Sequence, residues 1–131
     1  MKRTVFYISD STGITAETLG SSVLTQFEQL EFEHIVVPYV DSVEKAALTV
    51  AKIDRIAEET GHQPIIFDTL VNQDIRAVIA TSKGFIIDVL DTFLSQLETA
   101  LGEKPSSTVT TPSGTSFAFL IASAREFLTG A

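Results

Sequence analysis

Four times along the chain a short apolar run gives way to a longer stretch in which apolar residues recur every three or four positions. The first run, Thr4-Val5-Phe6-Tyr7-Ile8, is β-branched and aromatic and stops at the turn-forming cluster Ser9-Asp10-Ser11-Thr12-Gly13, so it reads as a buried strand. Ala16, Leu19, Val23 and Phe27 then predict an amphipathic helix over residues 15–28, with Thr15 as its cap. Residues 32–37 form the second apolar run. Val43, Ala46, Ala47, Val50, Ile53 and Ala57 mark a long second helix closed by Gly61, its other face carrying Glu44, Lys45, Lys52, Arg55, Glu58 and Glu59 as a solvated surface.

Pro64-Ile65-Ile66-Phe67-Asp68 predicts a third strand, with the proline at its start where no ladder hydrogen bond is lost. Asn72 caps a short helix through Ile75, Val78 and Ile79. A fourth strand over residues 84–88 leads to a fourth helix carrying Leu90, Phe93, Leu94, Leu97 and Leu101 and closed by Gly102. Strands that are continuously apolar, alternating with helices, predict an α/β fold: an open, mostly parallel four-stranded sheet flanked by helices in a Rossmann-like three-layer arrangement. The pattern breaks after residue 104. Residues 105–116 are Pro, Ser, Thr or Gly except for Val109, a linker composition, and residues 117–131 are expected to form a final apolar helix or, alternatively, a short strand.

Composition narrows the chemistry. With 131 residues the chain suits one domain, here residues 1–104. The absence of cysteine excludes disulfides, thiolate metal sites and a cysteine nucleophile, and two histidines, His34 and His62, are too few for a His-rich metal centre. Both histidines read as structural. Nine Lys and Arg against seventeen Asp and Glu give a net charge of −8, which argues against a nucleic-acid or membrane-surface partner. A mean hydropathy of +0.26 is high. No apolar run approaches a membrane span, so the excess is expected in the core and the chain in the cytoplasm.

In a parallel sheet, ligands bind beyond the carboxyl ends of the strands, near the point where strand order reverses. The loop after the first strand places Asp10, Ser11, Thr12, Gly13 and Thr15 at a helix N-terminus, a setting for an anion such as phosphate or carboxylate, or alternatively for simple capping and turning. Asn72 and Arg76 lie one turn apart and complete the candidate anion site across the crevice, unless Arg76 pairs with Asp74 or a neighbouring loop. Asp10, Asp68 and Asp88 each end a strand and could converge on Mg²⁺ through a phosphate-bearing ligand, or serve as caps. No Walker loop, dinucleotide fingerprint or acyl-transfer triad is present in the 131 residues, and catalytic residues stay unassigned.

These same loops carry a family resemblance. Val5-Phe6-Tyr7-Ile8-Ser9-Asp10-Ser11-Thr12-Gly13-Ile14-Thr15-Ala16-Glu17-Thr18-Leu19-Gly20 closely resembles the opening of the phosphoenolpyruvate synthase regulatory proteins, related to the pyruvate, phosphate dikinase regulatory proteins. Pro38-Tyr39-Val40-Asp41-Ser42 with the Lys45 helix is similar as well, as is the segment from Pro64 to Arg76. The resemblance implies a bifunctional regulator that inactivates the synthase by ADP-dependent threonine phosphorylation. It reactivates the synthase by phosphate-dependent dephosphorylation that releases pyrophosphate. ADP and phosphate are thus the implied ligands of the full-length family and the synthase the implied partner, with a homodimer as a further expectation. The family's nucleotide-binding P-loop lies in the second half of a chain about twice this length, and after Val109 the sequence departs from the family pattern. The expectation is an N-terminal half, ended by truncation or a shifted reading frame, without phosphotransfer activity of its own. The alternative is a non-catalytic interaction or dimerisation module, or a small anion-binding domain.

Overall fold

The computed structural model describes residues 2–104 and contains four parallel strands and four helices in strict alternation. They are β1 (Lys2–Ile8), α1 (Ile14–Leu24), β2 (Glu31–Val37), α2 (Val43–Thr60), β3 (Ile65–Asp68), α3 (Gln73–Ile79), β4 (Phe85–Asp88) and α4 (Val89–Leu101). The linker and final helix expected over residues 105–131 lie outside the described residues. No helix among the described residues is long and apolar enough to cross a membrane.

The strand order is β2-β1-β3-β4. β1 is paired on both sides, with Ile8 opposite Val37 of β2 and Asp68 of β3, and Asp68 in turn opposite Asp88 of β4. Alternation along β1 divides the core into two layers. Phe6 and Ile8, with Ile66 of β3, pack against Ala46 and Ile53 of α2 and Ile75 and Ile79 of α3. Val5, Tyr7 and Phe67 face the other way, against Ala16 and Leu24 of α1 and Val89 of α4. A strand covered on both faces must be apolar throughout, which is why β1 shows no polar alternation.

Gly20 sets the depth of α1. A Cβ at this position would meet Tyr7 Cε1 at 2.5 Å and Phe67 Cδ2 at 2.7 Å, so the helix rests directly on two rings stacked 5.8 Å apart. The Tyr7 hydroxyl bonds His34 Nδ1 on β2 at 2.7 Å, with the two rings stacked, which fixes the surface on which the helix lies.

Two expectations about α1 are corrected. Thr15 is not its cap: the helix begins at Ile14, Gly13 occupies the N-cap position, and Thr15 is buried in the first turn. The helix also ends at Leu24 rather than residue 28, because Gln26, Phe27 and Leu30 close tight turns onto Val23, Leu24 and Phe27. Val23 and Phe27 continue the helical spacing yet are more than half exposed, so the apolar excess is not all core. Elsewhere expectation and structure agree: Asn72 caps α3, and Gly61 and Gly102 close α2 and α4 in the left-handed conformation; the cap of α2 is Ser42, which accepts the Lys45 N–H and was not anticipated. The polar face of α2 is partly engaged, Glu58 reaching Lys83 at 2.7 Å and Asp54 accepting the Lys83 backbone N–H.

Candidate functional site

The crossovers from β1 and β3 leave toward opposite sides of the sheet, so the carboxyl ends of these two strands are its topological switch point, the place where open α/β sheets hold ligands in a crevice. One wall is the loop after β1. Ser9 is buried, its Oγ accepting the Ser11 N–H at 3.0 Å and lying 3.2 Å from Ser11 Oγ. Thr12 Oγ1 accepts the Ile14 N–H at 3.4 Å. Gly13 turns the chain into α1 at φ 84°, and a Cβ there would lie 2.8 Å from Val36 Cγ1, so both conformation and space demand glycine.

The segment after β2 closes against this loop. Tyr39 donates its N–H to the Ser11 carbonyl at 2.8 Å and Val40 donates to Ser9 at 2.9 Å. Tyr39 takes up a left-handed φ of 59°, and its carbonyl accepts from Lys45 Nζ at 3.3 Å. Lys45 also pairs with Asp41 at 2.9 Å, which holds the Asp41 carboxyl below its ordinary range. Nothing in the sequence announced Tyr39, since a bulky aromatic is among the residues least suited to positive φ.

The other wall is the loop after β3. Asp68 is buried and accepts the Leu70 N–H at 3.1 Å, while the Thr69 N–H reaches back to Ile8 at 3.0 Å. Asn72 Oδ1 accepts from Asp74 and Ile75, at 2.8 and 3.1 Å. Partial burial raises the pKa of Asp10. Burial also pushes Asp68 up to about 6, helped by the nearby charge of Asp88.

Arg76 does not pair with Asp74. Its guanidinium bonds the Asp88 carboxylate, and its Nε lies 3.9 Å from Asp68 Oδ1. The sheet register brings these two carboxylates side by side, and α3 carries the cation over them. Asp88 has a second task as the cap of α4, accepting the Asp91 N–H at 3.0 Å. The convergence of Asp10, Asp68 and Asp88 on a metal is not realised: no group of three or more His, Cys, Asp or Glu among the described residues is arranged to hold one. Arg76 stands instead as the counter-charge. An anion approaching Arg76 has to compete with two carboxylates already in place.

Of the anticipated site residues, Asp10, Ser11, Thr12 and Gly13 lie together on the first wall, Thr15 is buried behind them, and Asn72 and Arg76 belong to the second. Neither histidine joins them. His34 serves the Tyr7 contact, in a setting where burial and the Glu17 charge push the tyrosine up to about 12, and His62 turns the chain after α2.

Comparison with known proteins gives a consistent result. A family model described as kinase/pyrophosphorylase matches residues 5–118. A protein of Hahella chejuensis, provisionally named a phosphoenolpyruvate synthase regulatory protein, is 58% identical over 109 residues, which is 83% of this chain and 40% of the relative. Proteins of the same name from Pseudomonas fluorescens (strain Pf0-1) and Pseudomonas aeruginosa (strain UCBPP-PA14) are 59% and 57% identical over the same share. The chain spans about two fifths of the length of these relatives.

Proposed function

Because the chain belongs to the kinase/pyrophosphorylase family, we propose that it supplies the N-terminal α/β unit of a regulator of phosphoenolpyruvate synthase. The observation that carries this reading is the 58% identity to relatives of that name, running over 109 residues. The reaction that goes with it is ADP-dependent phosphorylation of a threonine on the synthase, reversed by phosphate with release of pyrophosphate. Phosphoryl transfer depends on positioned phosphates and compensated charge. No G-x-x-x-x-G-K-[ST] loop occurs in the 131 residues, so this chain is expected to be inactive alone.

Within the unit, Ser11, Thr12 and Gly13 are the residues that would meet a phosphate at the start of α1, with Asp10 and Thr15 shaping the loop and Asn72 and Arg76 opposite. Incubating the chain with ADP and the synthase should give no phosphothreonine. Joining residues 1–104 to the remaining part of the Hahella relative should restore it, and phosphothreonine from the 131-residue chain alone overturns the assignment of the chemistry. Phosphate or ADP bound in the crevice should raise Tm, since a ligand held only by the folded state stabilises it. An unchanged Tm together with binding of the synthase would favour an interaction module instead.

A further inference from the structure

One face of the molecule is left apolar and open. Val23, Phe27, Phe85 and Phe93 are each about half exposed and surround a groove of about 420 Å³, in which Thr92 is the only polar residue among the described residues of the lining. Among the described residues β4 beside it is an edge strand, paired with β3 alone. Single exposed apolar residues are ordinary, as Leu48 on α2 is, but a contiguous apolar face next to an unpaired strand edge marks a surface that another body covers.

The position of the chain's continuation says which body. Leu97 and Leu101 extend the apolar face along α4 beyond the groove, and α4 ends just before Lys104. Whatever follows Lys104 therefore starts at the rim of this face. The match takes up only 40% of the Hahella relative, and the first block of this chain resembles the family's opening, so the unmatched part of the relative follows the α/β unit.

We propose that the α1–β4–α4 face seats the polypeptide that follows Lys104 in the full-length relatives, docked through its own apolar side chains against Phe93 and the open side of β4. The inference rests on the family reading given above. It makes the face an internal interface of the regulator rather than a surface for the synthase.

The chain contains no cysteine, so introduced thiols report on this face without background. Val23→Cys and Phe93→Cys, with Leu48→Cys on the opposite layer as control, are made in the 131-residue chain and in the chimera of residues 1–104 with the relative's remaining part. Alkylation is read at each peptide by mass spectrometry. In the 131-residue chain all three thiols should react at similar rates; in the chimera the first two should slow at least tenfold while Leu48→Cys is unchanged. Equal rates at all three positions in the chimera overturn the proposal. Slowing that disappears on dilution identifies a second copy as the occupant, and concentration-independent slowing already present in the 131-residue chain identifies its own residues 105–131; either overturns it too.

Hydrogen exchange on the Hahella relative gives a second answer that does not need the chimera to fold. Cutting that protein at the position matching Lys104 should expose the segments aligned with α1 and α4 more than the one aligned with α2, and no such difference overturns the proposal. The phosphothreonine assay separates this result from the family reading. An active chimera with fast-reacting thiols removes the docking and keeps the family reading; an inactive chimera with protected thiols does the reverse.

Discussion

Arg76, in the last turn of α3, grips the carboxylate of Asp88, the last residue of β4. Since Asp88 also caps α4, one carboxylate fastens the last turn of α3 to the start of α4.

Removing that cation should be costly. Arg76→Ala leaves Asp68 and Asp88 in register on adjacent strands with their charges uncompensated. With the Arg76 side chain 30% exposed, the loss should fall below that of a fully buried pair, at about 2 kcal/mol. Urea denaturation at pH 7.5 measures it, and adding Asp68→Asn should recover at least half, because the two sites share a partner.

Asp68 should make stability fall as pH rises. Its folded pKa of about 6 lies above the ordinary 3.8, so between these values the folded state binds more protons than the unfolded chain. The favourable contribution is complete below about pH 4 and is lost as pH rises through 6. Asp68→Asn keeps an acceptor for the Leu70 N–H and removes the titration, so it should be neutral at pH 4 and stabilising by about 2 kcal/mol at pH 8. Urea midpoints across pH 4–8 for both proteins test the slope.

Gly20→Ala should destabilise the fold although alanine is the better helix former by about 1 kcal/mol. The new methyl would stand 2.5 Å from a tyrosine ring that is itself held by His34. Overpacking against fixed rings should leave a net loss of about 1–2 kcal/mol, visible as a lower Tm.

Tyr39→Gly should stabilise. The left-handed backbone costs a non-glycine residue about 1–2 kcal/mol, more than the extra chain entropy glycine loses on folding, and the half-exposed ring gives up little burial. A gain of about 0.5 kcal/mol in thermal or urea unfolding is expected, and a loss would show that the ring itself supports the fold.

The strands and most helix ends were legible because each rests on local chemistry: a β-branched run, Asn72 before a helix, Gly61 or Gly102 after one. What escaped depends on distance along the chain. Arg76 has Asp74 close by in sequence but pairs with Asp88, 12 residues on, because strand pairing and not sequence proximity decides which carboxylate lies beneath it. Val23 and Phe27 kept helical spacing, and spacing reveals an apolar stripe without revealing what lies against it. Thr15 looked like a cap because a hydroxyl near a helix start usually is one, whereas Gly13 takes that place with a backbone conformation no side chain advertises. Topology brought Asn72 and Arg76 to the ends of the strands, but it could not show that Arg76 is already engaged by Asp88.

The strand order has a consequence for how the sheet is made. β1 is both the first of the described strands and an inner strand of the sheet. As the polypeptide emerges from the ribosome N-terminus first, β2 is added to one flank of β1, β3 to the other, and β4 outside β3. Every newcomer thus meets an open flank, and no strand has to be threaded between two that are already joined. The sheet can grow outward in the order of its synthesis, with β4 the last of the described strands to arrive and its outer flank still free when α4 has been made.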